Sequence, residues 1–229
     1  MDIHGLQKMT ILDYPEHVAC TVFLYGCDFR CPYCHNFELV TGKADPVCSE
    51  EEFFEFLKKR QGILDGVVIT GGEPCLRKEL DTFIKKIKDL GFLIKLDTNG
   101  NHPDVLEKLL SENLLDYVAM DIKNSPDKYP ITAGVESLDV SAVKRSVSIL
   151  MSGKTDYEFR TTVVKELHSA EDFEEIGKWL QGARAYYLQQ FVDRETVPDR
   201  ALSSPSKADL TQYLEIVRQL IPNSNIRGI

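Results

Sequence analysis

Six short runs rich in β-branched and aromatic residues punctuate the chain, at 18–24, 67–70, 93–98, 117–122, 157–164 and 185–191. Such residues suit a pleated, half-buried surface, so each run predicts a strand. Between the runs, apolar positions recur three and four residues apart, the period of a helix with one buried face. Ser49-Glu50-Glu51-Glu52 is a capped acidic start, followed by Phe53, Phe56 and Leu57 on one face. Leu80, Phe83, Ile84, Ile87 and Leu90 form a second stripe that ends at Gly91. Further stripes are Val105, Leu106, Leu109 and Leu110; Val140, Val143, Val147 and Leu150; Phe173, Ile176, Trp179 and Leu180; and Leu210, Leu214, Val217 and Leu220.

Strand alternating with helix implies an α/β fold with a parallel sheet and right-handed crossovers. Six units fit either an open doubly wound sheet or a partial barrel. Two segments stand outside the repeat. Residues 1–17 precede the first strand as an N-terminal extension. Residues 193–207, with Pro198, Pro205 and several serines, read as a surface loop before the last helix.

Composition narrows the function. The 229 residues, 43% hydrophobic, predict a single domain over 1–229 whose core needs no disulfides. A net charge of -9 argues against a nucleic-acid partner and against adhesion to anionic lipid. No apolar segment approaches the roughly 20 residues of a membrane span, and the first fourteen residues lack the apolar core of a signal peptide. The expectation is a cytoplasmic protein.

Three of the six cysteines, Cys27, Cys31 and Cys34, fall within eight residues in the loop after the first predicted strand. Clustering of this kind in a reducing compartment points to metal or redox chemistry. Cys31-Pro32-Tyr33-Cys34 is a redox-type C-x-x-C, but that reading leaves Cys27 unexplained. Cys31 to His35 spells the haem-attachment pattern, without the export signal such chemistry requires. Structural zinc is open, with His35, Cys20 or Cys48 as a fourth ligand. So is a 4Fe–4S cluster held by three thiolates, which leaves one iron with an open position. The motif alone leans toward iron–sulfur. Cys20, Cys48, Cys75, His35 and His168 have plainer explanations as core or surface residues.

A second motif, Gly71-Gly72-Glu73-Pro74, ends the second predicted strand on the rim that carries the cysteine loop. Paired glycines permit close backbone approach, and Glu73 can accept from an ammonium. Together, in this order, the two motifs resemble the radical S-adenosylmethionine (SAM) enzymes over nearly the whole chain. The resemblance implies a partial (β/α)6 barrel in which Cys27, Cys31 and Cys34 hold a 4Fe–4S cluster. In that family the open iron binds the methionyl amine and carboxylate of SAM. One electron then cleaves SAM to methionine and a 5′-deoxyadenosyl radical.

Other roles follow from the same resemblance. Glu73, with backbone at Gly71 and Gly72, would meet the methionyl ammonium, and Tyr33 would lie near adenine. By similarity to the glycyl-radical-activating branch, Asp97, Thr98 and Asp121 would form a monovalent-cation site and Lys123 would contact SAM. Electrostatics agrees that carboxylates at successive strand ends repel unless a cation or Lys123 lies between them. Arg160 is either a further SAM contact or an inward structural arginine. At the sixth strand, alternation admits only one of Gln189 and Gln190 to the interior, and Gln189 is the expected adenine contact.

The N-terminal Lys8-Met9-Thr10-Ile11-Leu12-Asp13-Tyr14-Pro15 and Cys20-Thr21-Val22-Phe23-Leu24 resemble the activating proteins of anaerobic ribonucleoside-triphosphate reductase, relatives of the pyruvate formate-lyase activases. The implied substrate is a backbone glycine of a glycyl radical enzyme. The implied reductant is a flavodoxin or ferredoxin, and an oxygen-labile cluster implies anaerobic function. The alternatives are a radical SAM enzyme acting on another peptide, nucleoside or metabolite, and a non-catalytic zinc or iron–sulfur module.

Overall fold

The computed structural model describes residues 1–42 and 44–228. It is α/β, and the eight strands among the described residues follow chain order in the sheet. Two compact units divide the chain. The first takes Met1–Asp28, Glu38–Thr98 and His102–Val118; the second takes Phe29–Phe37, Asn99–Asn101 and everything described from Ala119 onward. Among the described residues no helix is long and apolar enough to cross a membrane.

The first unit contains β1 (Gly5–Thr10), β2 (Ala19–Leu24), most of α1 (Phe37–Thr41), α2 (Glu50–Lys58), β3 (Gly66–Gly71), α3 (Leu80–Asp89), β4 (Leu93–Thr98) and α4 (Pro103–Ser111). It ends in the first residues of β5 (Tyr117–Asp121). β2 to β4 pair in parallel, and β1 pairs antiparallel to β2. The expected N-terminal extension is therefore partly a strand. Gln7, Lys8 and Met9 are exposed, so β1 lacks the apolar run by which a more buried strand announces itself. The helix starts are as the sequence predicts. Ser49 caps α2, accepting from the Glu52 N–H while the Glu52 carboxylate accepts from the Ser49 N–H at 2.8 Å.

Register fixes which side chains share a face. Lys95 lies beside Val68, and Val68 beside Thr21. Lower on that face Ala19 and Val68 pack with Tyr14, Leu93 and Tyr117. Val67, Ile69, Ile94 and Leu96 alternate onto the opposite face and are fully buried. The buried stripes of α2 and α3 meet through Phe53 and Phe83, whose ring centroids are 5.7 Å apart. Each large apolar side chain removed from water this way contributes roughly 1.5–3 kcal/mol.

The second unit holds the end of β5, then α5 (Tyr129–Ala133), α6 (Val140–Ser152), β6 (Asp156–Val163), α7 (Ala170–Trp179), β7 (Tyr186–Gln190), α8 (Lys207–Arg218) and β8 (Ser224–Arg227). β6, β7 and β8 pair in parallel. On one face Phe159, Val163, Tyr186 and Leu188 are buried. The other face is polar: Arg160 lies beside Tyr187, and Thr162 beside Gln189 and then Arg227. Arg227 pairs with both oxygens of buried Glu158 at 2.6 and 2.7 Å and stacks 3.4 Å over the Tyr187 ring. β8 is a second strand the sequence pattern does not announce, being four residues long and mostly polar. Residues 193–206 carry neither helix nor strand, as expected of the loop, although Val197 and Leu202 are buried.

The end of β3 meets the end of β2 through backbone alone. The Gly72 N–H donates to Leu24 O at 2.9 Å and the Glu73 N–H to Gly26 O at 2.7 Å. A Cβ would stand 2.1 Å from Leu24 O at Gly71 and 2.1 Å from Gly26 O at Gly72. The glycine pair thus admits the backbone leading into Cys27. Replacing Gly72 with Ala should cost several times the roughly 1 kcal/mol expected of Gly62→Ala, where φ is +75° and a Cβ meets nothing within 4 Å. Thermal unfolding followed by circular dichroism of the two variants checks this order.

Candidate active site

In the first unit, Glu73 is wholly buried. Its Oε1 accepts from the Cys75 N–H and from the Thr98 hydroxyl, both at 2.9 Å. The Cys75 thiol lies 3.8 Å from Thr98 Oγ1, and burial, with Glu73 beside it, pushes that thiol far up, so it stays neutral. Asp97 accepts from the ammonium of Lys95, a residue the sequence reading left aside. Cys27 lies 4.0 Å from Asp28 Oδ1, and Asp28 Oδ2 pairs with His102 Nε2 at 3.0 Å. That bond raises the His102 pKa against the opposing effect of burial. A histidine in a polar loop carries no hydropathy signal, so His102 was not legible. Lys95 was, as a charge inside an apolar strand.

In the second unit, Cys31 and Cys34 sit on one turn, with the Cys34 N–H donating to Cys31 O at 3.2 Å. The Arg30 N–H donates to Ala133 O at 2.8 Å, and the Asp199 N–H to Pro32 O at 3.0 Å. His35 Nε2 bonds Val192 O at 2.7 Å, and its ring stacks on Phe191. This engages the imidazole with the loop after β7, the plainer of the two roles considered for it. His168 is also structural. Its Nδ1 accepts from the Val164 N–H, so Nε2 carries the proton and donates to Lys123 O at 2.9 Å.

Asp121 is the hub of this half. Oδ1 accepts from Arg160 at 2.9 Å and Oδ2 from Lys123 at 3.0 Å. Burial disfavours its ionisation, but Arg160 and then Lys123 outweigh that and hold the carboxyl down at about 2. Burial likewise disfavours the Lys123 ammonium, and Asp121 outweighs it, so Lys123 stays charged. The alkali-cation site is implied by the resemblance to the activating branch, and repulsion between carboxylates is the supporting electrostatic argument. Here Asp97 has Lys95, and Asp121 has Arg160 and Lys123, so that charge argument is met by the protein's own cations. Gln189 shares a face with Arg160, while Gln190 lies on the other face and donates to Pro205 O at 3.1 Å.

Among the described residues no three Cys, His, Asp or Glu side chains are gathered as a ready metal cage. The donor chemistry nevertheless fits an iron–sulfur group. Burial pushes Cys31 up to about 11 and raises Cys34, while Lys123 pulls both back toward the thiolate. Binding metal releases those protons. Tyr33 is buried with its hydroxyl beside Cys31, where it too favours the thiolate.

The pattern of the Radical SAM superfamily matches residues 21–179, and the chain belongs to that superfamily. It is a radical SAM enzyme, a family that uses a 4Fe–4S cluster and SAM. A candidate glycyl-radical enzyme activating enzyme of Methanocaldococcus jannaschii is 32% identical over 235 residues, covering 99% of this chain and 96% of that one. The pyruvate formate-lyase-activating enzyme of Clostridium pasteurianum is 26% identical over 93% of this chain and 96% of its own. Two solved structures share the fold. Streptococcus suis SuiB bound to SAM has a TM-score of 0.71 at 15% identity, over 90% of this chain and 50% of SuiB. TYW1 with a lysine–pyruvate adduct has a TM-score of 0.65 at 17% identity, over 89% of this chain and 73% of TYW1.

The Asp121 hub has a pH signature. A carboxyl depressed from 3.8 to about 2 contributes stability that is fully present above pH 4 and lost as pH falls through 2. With its side chain one-third exposed, the contribution is about 1–2 kcal/mol after allowing for screening. Asp121→Asn should therefore destabilise the chain at pH 7 by about 2–3 kcal/mol, since it strands Arg160 and Lys123, and by less at pH 3. Urea unfolding at the two pH values measures the difference.

Proposed function

We propose that this protein is an activase that generates a glycyl radical on a partner enzyme, such as an anaerobic ribonucleotide reductase. The observation that carries the reading is the end-to-end similarity to a candidate glycyl-radical enzyme activating enzyme, which leaves little of either chain uncovered. Cys27, Cys31 and Cys34 hold the 4Fe–4S cluster. When bound, the cluster and SAM would supply, with one electron from the donor, the radical chemistry that removes a hydrogen atom from the substrate glycine.

The chain's own part is to bind, orient and neutralise. Glu73, with one oxygen fixed by Thr98 and the Cys75 N–H, accepts from the methionyl ammonium. Lys123 and Arg160, held by Asp121, supply positive charge for the methionyl carboxylate. Tyr33 and Gln189 contact the adenine side. The electron donor is a flavodoxin or ferredoxin, and the setting is an anaerobic cytoplasm.

The test is anaerobic reconstitution with iron and sulfide, reduction, addition of SAM and quantification of 5′-deoxyadenosine. Cys31→Ala should lose both the cluster and the product. Adding the glycyl radical enzyme recovered with this protein from anaerobic cells should produce a glycyl radical signal by electron paramagnetic resonance. SAM cleavage with no radical on any such partner would direct the activity to another substrate.

A further inference from the structure

β4 carries a lysine where an apolar side chain would be expected. Lys95 is 2% exposed, lies beside Val68, and has fully buried Ile94 and Leu96 as its sequence neighbours. An ammonium removed from water needs a strong partner. Lys95 finds one in Asp97, two residues nearer the end of the strand and on the same face. Apolar residues of similar volume often cost less than such a pair in a strand interior, so the pair calls for a role.

Its place is informative. Asp97 is one of the carboxylates for which the sequence suggested an alkali ion, with Thr98 as a second ligand. Thr98 donates its hydroxyl proton to Glu73. Asp97 is served by an ammonium, which matches a potassium ion in charge and closely in size.

We infer that Lys95 is a built-in monovalent cation of the SAM site. Its ammonium neutralises Asp97 and so removes the repulsion that an anionic ligand group beside Asp97 would otherwise meet. This protein therefore binds SAM without an alkali ion from solution. The inference rests on the proposed function and on the resemblance to the activating branch, which sets Asp97 at the cation site of the SAM pocket.

The test compares SAM affinity of the reconstituted, unreduced enzyme in potassium chloride and in tetramethylammonium chloride at equal ionic strength. Equilibrium dialysis reads binding apart from turnover. The wild type should change by less than about twofold. Losing a charge-assisted contact should weaken Lys95→Gln about tenfold in tetramethylammonium, and potassium should restore most of it. Lys95→Arg should behave as the wild type.

Thermal melting gives a second readout, since an ion bound only by the folded chain raises its Tm. Potassium should raise the Tm of Lys95→Gln and leave the wild type unchanged. A potassium-dependent wild type, or a Lys95→Gln variant indifferent to the salt, overturns the inference. Should Lys95→Gln fail to fold, the salt comparison on the wild type decides alone. Absence of SAM binding by the wild type in either salt would sink the site assignment itself, and this inference with it.

Discussion

Charge removed from water must be matched close at hand, and the polar ends of these strands are organised by that constraint. Asp121 is tied to Arg160 and Lys123, Asp97 to Lys95, and Glu158 to Arg227. Each acid and its base lie on the strands themselves or just past their ends, so the pairs form as the sheet forms. Breaking one leaves a partly buried ion unpaired, which costs far more than the pair contributes net. That asymmetry holds the functional charges in place without requiring the site to be a stable core.

The cysteine loop obeys a different rule. Its position is set mainly by main-chain contacts. The β3 end reaches Leu24 and Gly26 in one unit, while Ala133 and Asp199 reach Arg30 and Pro32 in the other. These bonds are made by main-chain N–H and C=O groups and do not call on the thiols. They also explain why small residues matter at Gly71 and Gly72, where close approach to a ligand was the first reading and close approach to the loop is what the geometry displays.

Much of the architecture was legible because burial writes itself as periodicity. The six apolar runs became β2 to β7, and the Ser49 cap and the Leu80 to Ile87 stripe fell where their spacing put them. β1 and β8 escaped because a strand with an exposed or polar sequence can pair without an apolar face. The candidate site divided in the same way. Cysteines and glycines at fixed spacing are strong signals, whereas the pairing of Arg160 with Asp121 joins residues 39 apart and depends on how the strands align. Lys95 stands out in the sequence as a charge inside an apolar strand, and alternation along β4 puts it on the face of Asp97.

The bonds from the loop after β7 to the cysteine motif bear on how the protein is made. Pro32 and His35 are supported by Asp199 and Val192, more than 150 residues later in the chain. On a ribosome the cysteines emerge early and wait through most of synthesis before that support exists. The turn that carries Cys31 and Cys34 therefore gains its last main-chain support only after most of the chain has been made.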